Sequence, residues 1–333
     1  MNLRICMIGC GEFARLCHGP SQRKCVALHP EVELAACCDT DPIRAQAYGK
    51  SFGFAGHYSD VLTMLAAEDP DAVVLAVPPA TTCRVASLVL EHGFPLLLEK
   101  PPGMTLAELD RLIAAAETGG APAQVAFNRR YMPVMLKARE ILDAHFPPES
   151  VSRIDYEMTR FNRWDPDFST TAIHALDAAL FLSRSPFLAA ELHFQPQSQG
   201  DRDAVNIAVE ADCASGSQVL INIQPVTGRN AESVKIHTVG QFLAIKIPAS
   251  PLSDEAGSLE HWRGNELVAS YSDGAADVGE RFGIVRETEA FLDAVRSGTG
   301  FAPQLQECRQ QVALMEAIPL RRTDPICFAS KKG

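Results

Sequence analysis

The chain has 333 residues, too long for one ordinary hydrophobic core and short for three, so two domains are expected. A hydrophobic content of 47% with 21% charged residues excludes a disordered chain. The formal net charge of -11, with no long run of Lys or Arg, argues against nucleic acid and anionic membrane surfaces as partners. The ten cysteines include no Cys-x-x-Cys pair, so they are expected as free, reduced thiols with no metal site. The first residues lack a charged start followed by an apolar run, and no apolar stretch reaches about 18 residues. A soluble, cytoplasmic protein with no membrane segment is the expectation.

From the N-terminus, short apolar runs alternate with helical stretches. Strands are expected at 3–8, 33–38, 72–77, 95–98 and 123–126, with a weak third strand at 56–58. Ser59 and Thr105 are suited to capping helices at 60–67 and 106–117. Such alternation predicts a doubly wound parallel sheet with crossover helices over residues 1–125. From about residue 150, strand-like stretches follow one another at 151–159, 190–193, 204–210, 218–223, 233–239, 242–247 and 267–271. Residues 126–333 are therefore expected to form an α+β domain with a large, mostly antiparallel sheet. Helices are expected at 171–182 and 281–295, and a third, at 305–317, is placed against the first domain.

The first strand runs into Gly9-Cys10-Gly11-Glu12-Phe13-Ala14, the Gly-x-Gly-x-x-Gly/Ala pattern in its setting of strand, tight turn and helix. Gly9 supplies the turn, and Gly11 lets a pyrophosphate approach the backbone. The amides that open the helix, around Glu12 and Phe13, would bind that phosphate, while Ala14 keeps helix and strand close. A glycine turn that merely joins strand to helix is the competing reading. Against it, Asp39 ends the second strand at about the 20–30 residue spacing at which a carboxylate accepts hydrogen bonds from ribose hydroxyls. The same carboxylate repels a 2′-phosphate, and the following Thr40-Asp41 offers no Arg, so NAD is expected over NADP.

The chain resembles the glucose-fructose oxidoreductase, inositol dehydrogenase and MocA family of nicotinamide-dependent oxidoreductases. The resemblance rests on the glycine motif, Ala76-Val77-Pro78, Leu98-Glu99-Lys100-Pro101, Phe127-Asn128-Arg129-Arg130-Tyr131 and His174-Ala175-Leu176-Asp177 in that order. It implies hydride exchange between NAD(P) and the carbinol carbon of a sugar, cyclitol or related polyol. It further implies that Lys100 and His174 are catalytic, and that Val77, Pro78, Glu99, Lys100 and Asn128 lie at the cofactor.

The residues themselves bear on these roles. Lys100 stands just past a strand's carboxyl end, where ligands bind, and oxidising an alcohol needs a base for the hydroxyl proton. A surface lysine paired with Glu99 is the alternative. His174 and Asp177 are three apart on a helix and so share a face, His174 suited to relaying a proton and Asp177 to binding substrate hydroxyls. Arg160 could hold an anionic substrate group and Trp164 could stack on a sugar face, or both could be structural. The family pattern carries an aspartate four residues before the histidine, where this chain has Thr170, here assigned to the substrate site; Asp167 or water would then complete the proton path. A second departure is Thr82, where the pattern has a histidine. These departures keep two alternatives open: a non-catalytic dinucleotide-binding sensor, and a lyase or hydrolase using NAD transiently. An open antiparallel sheet face leads to the expectation of a homodimer or homotetramer formed through the second domain.

Overall fold

The computed structural model describes residues 2–250, 255–274 and 277–328. The chain divides into two compact units, Met1–Asn128 with Gly283–Val312, and Arg129–Phe282 with Ala313–Gly333.

In the first unit β1 (Leu3–Ile8), α1 (Gly19–Leu28), β2 (Val32–Cys38), α2 (Pro42–Phe52), β3 (Gly56–Tyr58), α3 (Val61–Glu68), β4 (Ala72–Leu75), α4 (Pro79–Glu91), β5 (Leu96–Glu99), α5 (Leu106–Gly119) and β6 (Ala123–Ala126) alternate. The six strands pair in parallel in the order β3-β2-β1-β4-β5-β6. Helices cover such a sheet on both faces, which is why β1, β2 and β4 read as nearly continuous apolar runs. The helix starts follow local chemistry. Asp41 caps α2 by accepting from the Ile43 and Arg44 amides, with Pro42 at its first position. Thr105 caps α5 as expected, but the cap of α3 is Asp60, one residue after Ser59.

The second unit opens with α6 (Pro133–His145) and continues through β7 (Val151–Phe161), α7 (Ser169–Ser183), β8 (Phe187–Gln199), β9 (Arg202–Cys213), β10 (Gln218–Thr227), β11 (Ala231–Thr238), β12 (Gln241–Ile247), β13 (Ser258–Arg263), β14 (Glu266–Ser272) and the single turn α8 (Val278–Arg281). With β15 (Ile326–Cys327) these strands form a nine-stranded sheet, β14-β13-β12-β11-β7-β10-β9-β8-β15. It is antiparallel except where β7 lies parallel to β10. The α7 helix packs on β7 and β10, and α6 on β12, β13 and β14. Strand β7 alternates accordingly, with Ile154, Tyr156 and Met158 buried while Arg153 and Glu157 are exposed. Helix α6 and strand β13 were not expected from the sequence; β13 turns only Leu259 and His261 inward and carries no apolar run.

The segment 283–312 corrects the expected boundary at 125/126, beyond which everything was assigned to the second domain. Helix α9 (Ile284–Ser297) packs on α1 of the first unit. It inserts Val285, Phe291, Leu292 and Ala294 into the core of Leu3, Ile5 and Leu34, and Arg296 pairs with Glu31 at 2.6 Å. The turn Leu305–Cys308 then packs against α5 and β6, and α10 (Arg309–Ala317) crosses the division between the units at Val312. Among the described residues no helix is long and apolar enough to cross a membrane.

Candidate functional site

The glycine turn has the geometry its sequence calls for. Gly9 sits at φ +91°, and a Cβ there would lie 2.1 Å from the Ala76 carbonyl oxygen at the exit of β4, so only glycine is accommodated. A Cβ on Gly11 would meet nothing within 4 Å, which leaves open ground above the backbone where a phosphate can approach. Ala14 is buried, while Glu12 and Phe13 face solvent at the start of the helical turn. Beside the turn runs a groove of about 430 Å³ whose walls include Gly9, Gly11, Asp39, Leu62, Val77 and Pro78. The Asp39 carboxylate is largely buried and accepts from the Cys10 amide at 2.9 Å and the Asp41 amide at 3.0 Å. It thus ties the end of β2 to the glycine turn and keeps acceptor capacity for hydroxyl groups. An apolar-walled groove, a glycine cradle open to a phosphate and an oriented carboxylate fit the parts of a dinucleotide.

Two features of this unit were not expected. The helix after the glycines widens into a π turn at Ala14–His18 before continuing as α1, a single-turn irregularity of the kind frequent at functional sites. Its last residue, His18, is 1% exposed, and its Nε2 lies 2.7 Å from Glu99 Oε1. Glu99 ends β5 and is followed by Lys100, half-buried, at a cis bond to Pro101. The expected alternative, a lysine paired with Glu99, therefore gives way to a Glu99–His18 pair. The second feature is Arg44. It stands in the first turn of α2, lines the groove, and places Nη1 3.4 Å from Asp39 Oδ1. A search confined to Thr40-Asp41 overlooks it because one helical turn brings the fifth residue back beside the first. Thr82 is buried in α4, its hydroxyl 3.4 Å from the Pro78 carbonyl. Asn128 is buried where the first unit ends.

In the second unit, α7 carries Thr170 and His174, both half-buried. Asp177 does not share an open face with them. It is 0% exposed, and its two oxygens accept from Arg130, Nε to Oδ2 at 2.9 Å and Nη2 to Oδ1 at 2.6 Å. The expected substrate-binding carboxylate is thus corrected to a buried bidentate ion pair. Arg160 is corrected in the same way: it is buried, bonds Glu232 through Nη2, and donates from Nη1 to the Thr159 carbonyl at 2.8 Å. Glu232 also accepts from Arg129 at 2.8 and 2.6 Å and from the Tyr156 hydroxyl at 2.6 Å. Burial pushes the Glu232 carboxyl up, but the Arg129 and Arg160 guanidiniums outweigh it and hold the group down at about 2. Trp164 lies in the loop before α7, where its Nε1 donates to Asn162 at 2.8 Å and the Arg202 guanidinium covers its ring at 4.7 Å. Asp167 accepts from the Ser169 amide and so helps start α7.

Comparison with known proteins follows the division into units. Residues 3–127 match the family model described as an oxidoreductase family with an NAD-binding Rossmann fold. The D-apiose dehydrogenase of Paraburkholderia graminis is 33% identical over 129 residues, which are 39% of this chain and 33% of that protein. That match spans about a third of the relative's length. The inositol 2-dehydrogenase of Rhizobium meliloti is 23% identical across 95% of this chain and 96% of its own. The solved structure of levoglucosan dehydrogenase in complex with NADH superposes with a TM-score of 0.81 at 16% identity, covering 99% of this chain and 100% of that one, a likeness of fold.

Proposed function

The chain belongs to the Gfo/Idh/MocA family of oxidoreductases, and on that premise we propose that it transfers a hydride between a nicotinamide dinucleotide and the carbinol carbon of a sugar, cyclitol or related polyol. The observation that carries the reading is the groove beside Gly9 and Gly11 with the oriented Asp39 carboxylate on its wall. Gly9, Gly11 and the amides at Glu12 and Phe13 would hold the pyrophosphate, Asp39 the adenosine ribose, and Val77, Pro78, Glu99 and Asn128 the remainder. NAD(H) is the preferred cofactor, since the Asp39 charge opposes a 2′-phosphate. The bound nicotinamide supplies the hydride acceptor. Lys100 takes the hydroxyl proton of the substrate at Nζ as the carbonyl forms, and His174 relays a proton on the substrate side. Thr170 and Trp164 contribute to the substrate side as well, Thr170 as a hydroxyl that carries no charge. The small polar substrate is bound without nucleic acid or membrane, and a homodimer or homotetramer forms through the polar outer face of the nine-stranded sheet.

A second reading, a dinucleotide-binding sensor without turnover, is favoured by Thr170 at the position of the family's aspartate and by the internal pairing of Asp177 and Arg160. One experiment separates the two. Purified protein is mixed with NAD⁺ and a panel of cyclitols, aldoses and sugar acids, reduced nicotinamide is followed by absorbance, and NADH binding is measured by fluorescence. Turnover that falls at least about a hundredfold in Lys100→Met, with NADH binding kept, is the expected result. NADH binding with no turnover on any substrate favours the sensor.

A further inference from the structure

The acidic residue that sets cofactor choice does not stand alone. The Asp39 carboxylate has three partners: the Cys10 amide, the Asp41 amide, and the Arg44 guanidinium at 3.4 Å. Arg44 reaches toward Asp41 as well, with Nη2 3.7 Å from Oδ2, and about half of its side chain is exposed. These contacts are long for charge-assisted hydrogen bonds, whose usual length is about 2.7–2.9 Å. The planar fork of Arg44 is therefore loosely held and keeps most of its five donors for another anion. Arg84, on α4, lines the same groove.

Backbone geometry fixes where Arg44 stands. Asp41 caps α2 through the Ile43 and Arg44 amides, which sets Arg44 in the first helical turn directly after the strand that Asp39 ends. A ribose whose hydroxyls meet Asp39 would therefore present its 2′ position to the side on which Arg44 lies. The charge of Asp39 and the charge of Arg44 oppose each other at that point: one repels a phosphate, the other attracts it.

We propose that Arg44 is a second cofactor-specificity residue, a 2′-phosphate receiver held out of use by Asp39, so that the pair and not Asp39 alone sets the preference for NAD(H) over NADP(H). This rests on the dinucleotide reading above. Neutralising Asp39 releases Arg44 toward the phosphate, and removing Arg44 strips the site of phosphate affinity without touching the ribose carboxylate.

The test measures dissociation constants of NADH and NADPH for the full-length protein by nicotinamide fluorescence, with no substrate present. Asp39→Asn keeps an oxygen to accept from the Cys10 amide while removing the charge. It is expected to tighten NADPH at least tenfold relative to NADH, and adding Arg44→Ala is expected to erase that gain. Adding Arg84→Ala instead is expected to keep most of it. In the unaltered background, Arg44→Ala should weaken NADPH at least fivefold more than NADH, and this arm stands even if Asp39→Asn fails to fold. Equal NADPH affinity in Asp39→Asn with and without Arg44, or loss of the gain through Arg84→Ala alone, overturns the inference while leaving the cofactor reading in place. Binding of neither nucleotide by the unaltered protein overturns that reading and this inference together.

Discussion

The groove of the first unit and the charged centre of the second-unit sheet use similar residue types in opposite ways. Around Gly9 the polar groups are held by one or two bonds each and left with capacity to spare: Asp39 is positioned by two amides, and Arg44 is only loosely engaged. Around Glu232 nothing is left over, because two guanidiniums and a phenol converge on one carboxylate in the interior. Burial without water makes every member of such a cluster dependent on the others. A charged residue in a motif is thus available for a ligand only where its partners do not exhaust it, and the two regions mark the two limits.

The comparison is broken most directly at Glu232. Glu232→Ala leaves Arg129 and Arg160 buried without their shared carboxylate and is expected to cost about 3–5 kcal/mol in urea unfolding. A loss below about 1 kcal/mol would mean that the cluster is solvated and not closed.

The same cluster sets an acid sensitivity. The Glu232 carboxyl lies at about 2 in the folded protein against an ordinary 4.5, and by linkage this is worth about 3 kcal/mol at neutral pH. Because the folded value is the lower one, the contribution is complete above about pH 4.5 and is lost as pH falls through about 2. Glu232→Gln should flatten this part of the stability profile. An unchanged acid slope would assign the sensitivity to other carboxylates.

On the groove side, Gly9→Ala forces a Cβ toward the Ala76 carbonyl at a backbone angle of φ +91°. About 1–3 kcal/mol of stability should be lost, together with measurable NADH binding. Binding that survives intact would show that the turn relaxes. The smallest effect is expected where a ligand contact has been suggested but the ring is already covered. Arg202→Ala removes a cation–π contact on Trp164 worth about 0.5–1 kcal/mol, with a shift in tryptophan fluorescence as the readout.

Much of the first unit was legible in the sequence because its signals are local. Parallel strands buried on both faces write themselves as apolar runs, and the glycine turn occupies six consecutive residues. The second unit is written at longer range. Arg129 meets Glu232 across 103 positions and Arg130 meets Asp177 across 47, and no spacing rule exposes either pairing. Asp177 and Arg160 therefore read as ligand contacts until their partners were seen. His18 escaped for a different reason: the π turn changes the helical phase, so the residue that reaches Glu99 is not the one a regular helix would select. Strand β13 was hidden by Glu260, Trp262 and Arg263, which break any apolar alternation.

The return of α9 to the first unit bears on how the chain is made. Residues 1–128 leave the ribosome with their core unfinished, since Phe291, Leu292 and Phe301 belong to it. At about 5–20 residues per second, roughly 8 to 30 s pass before the completing helix is synthesised. Throughout that interval the nascent first unit carries an apolar scar beside α1, so it is the earliest part to emerge and the last to be sealed.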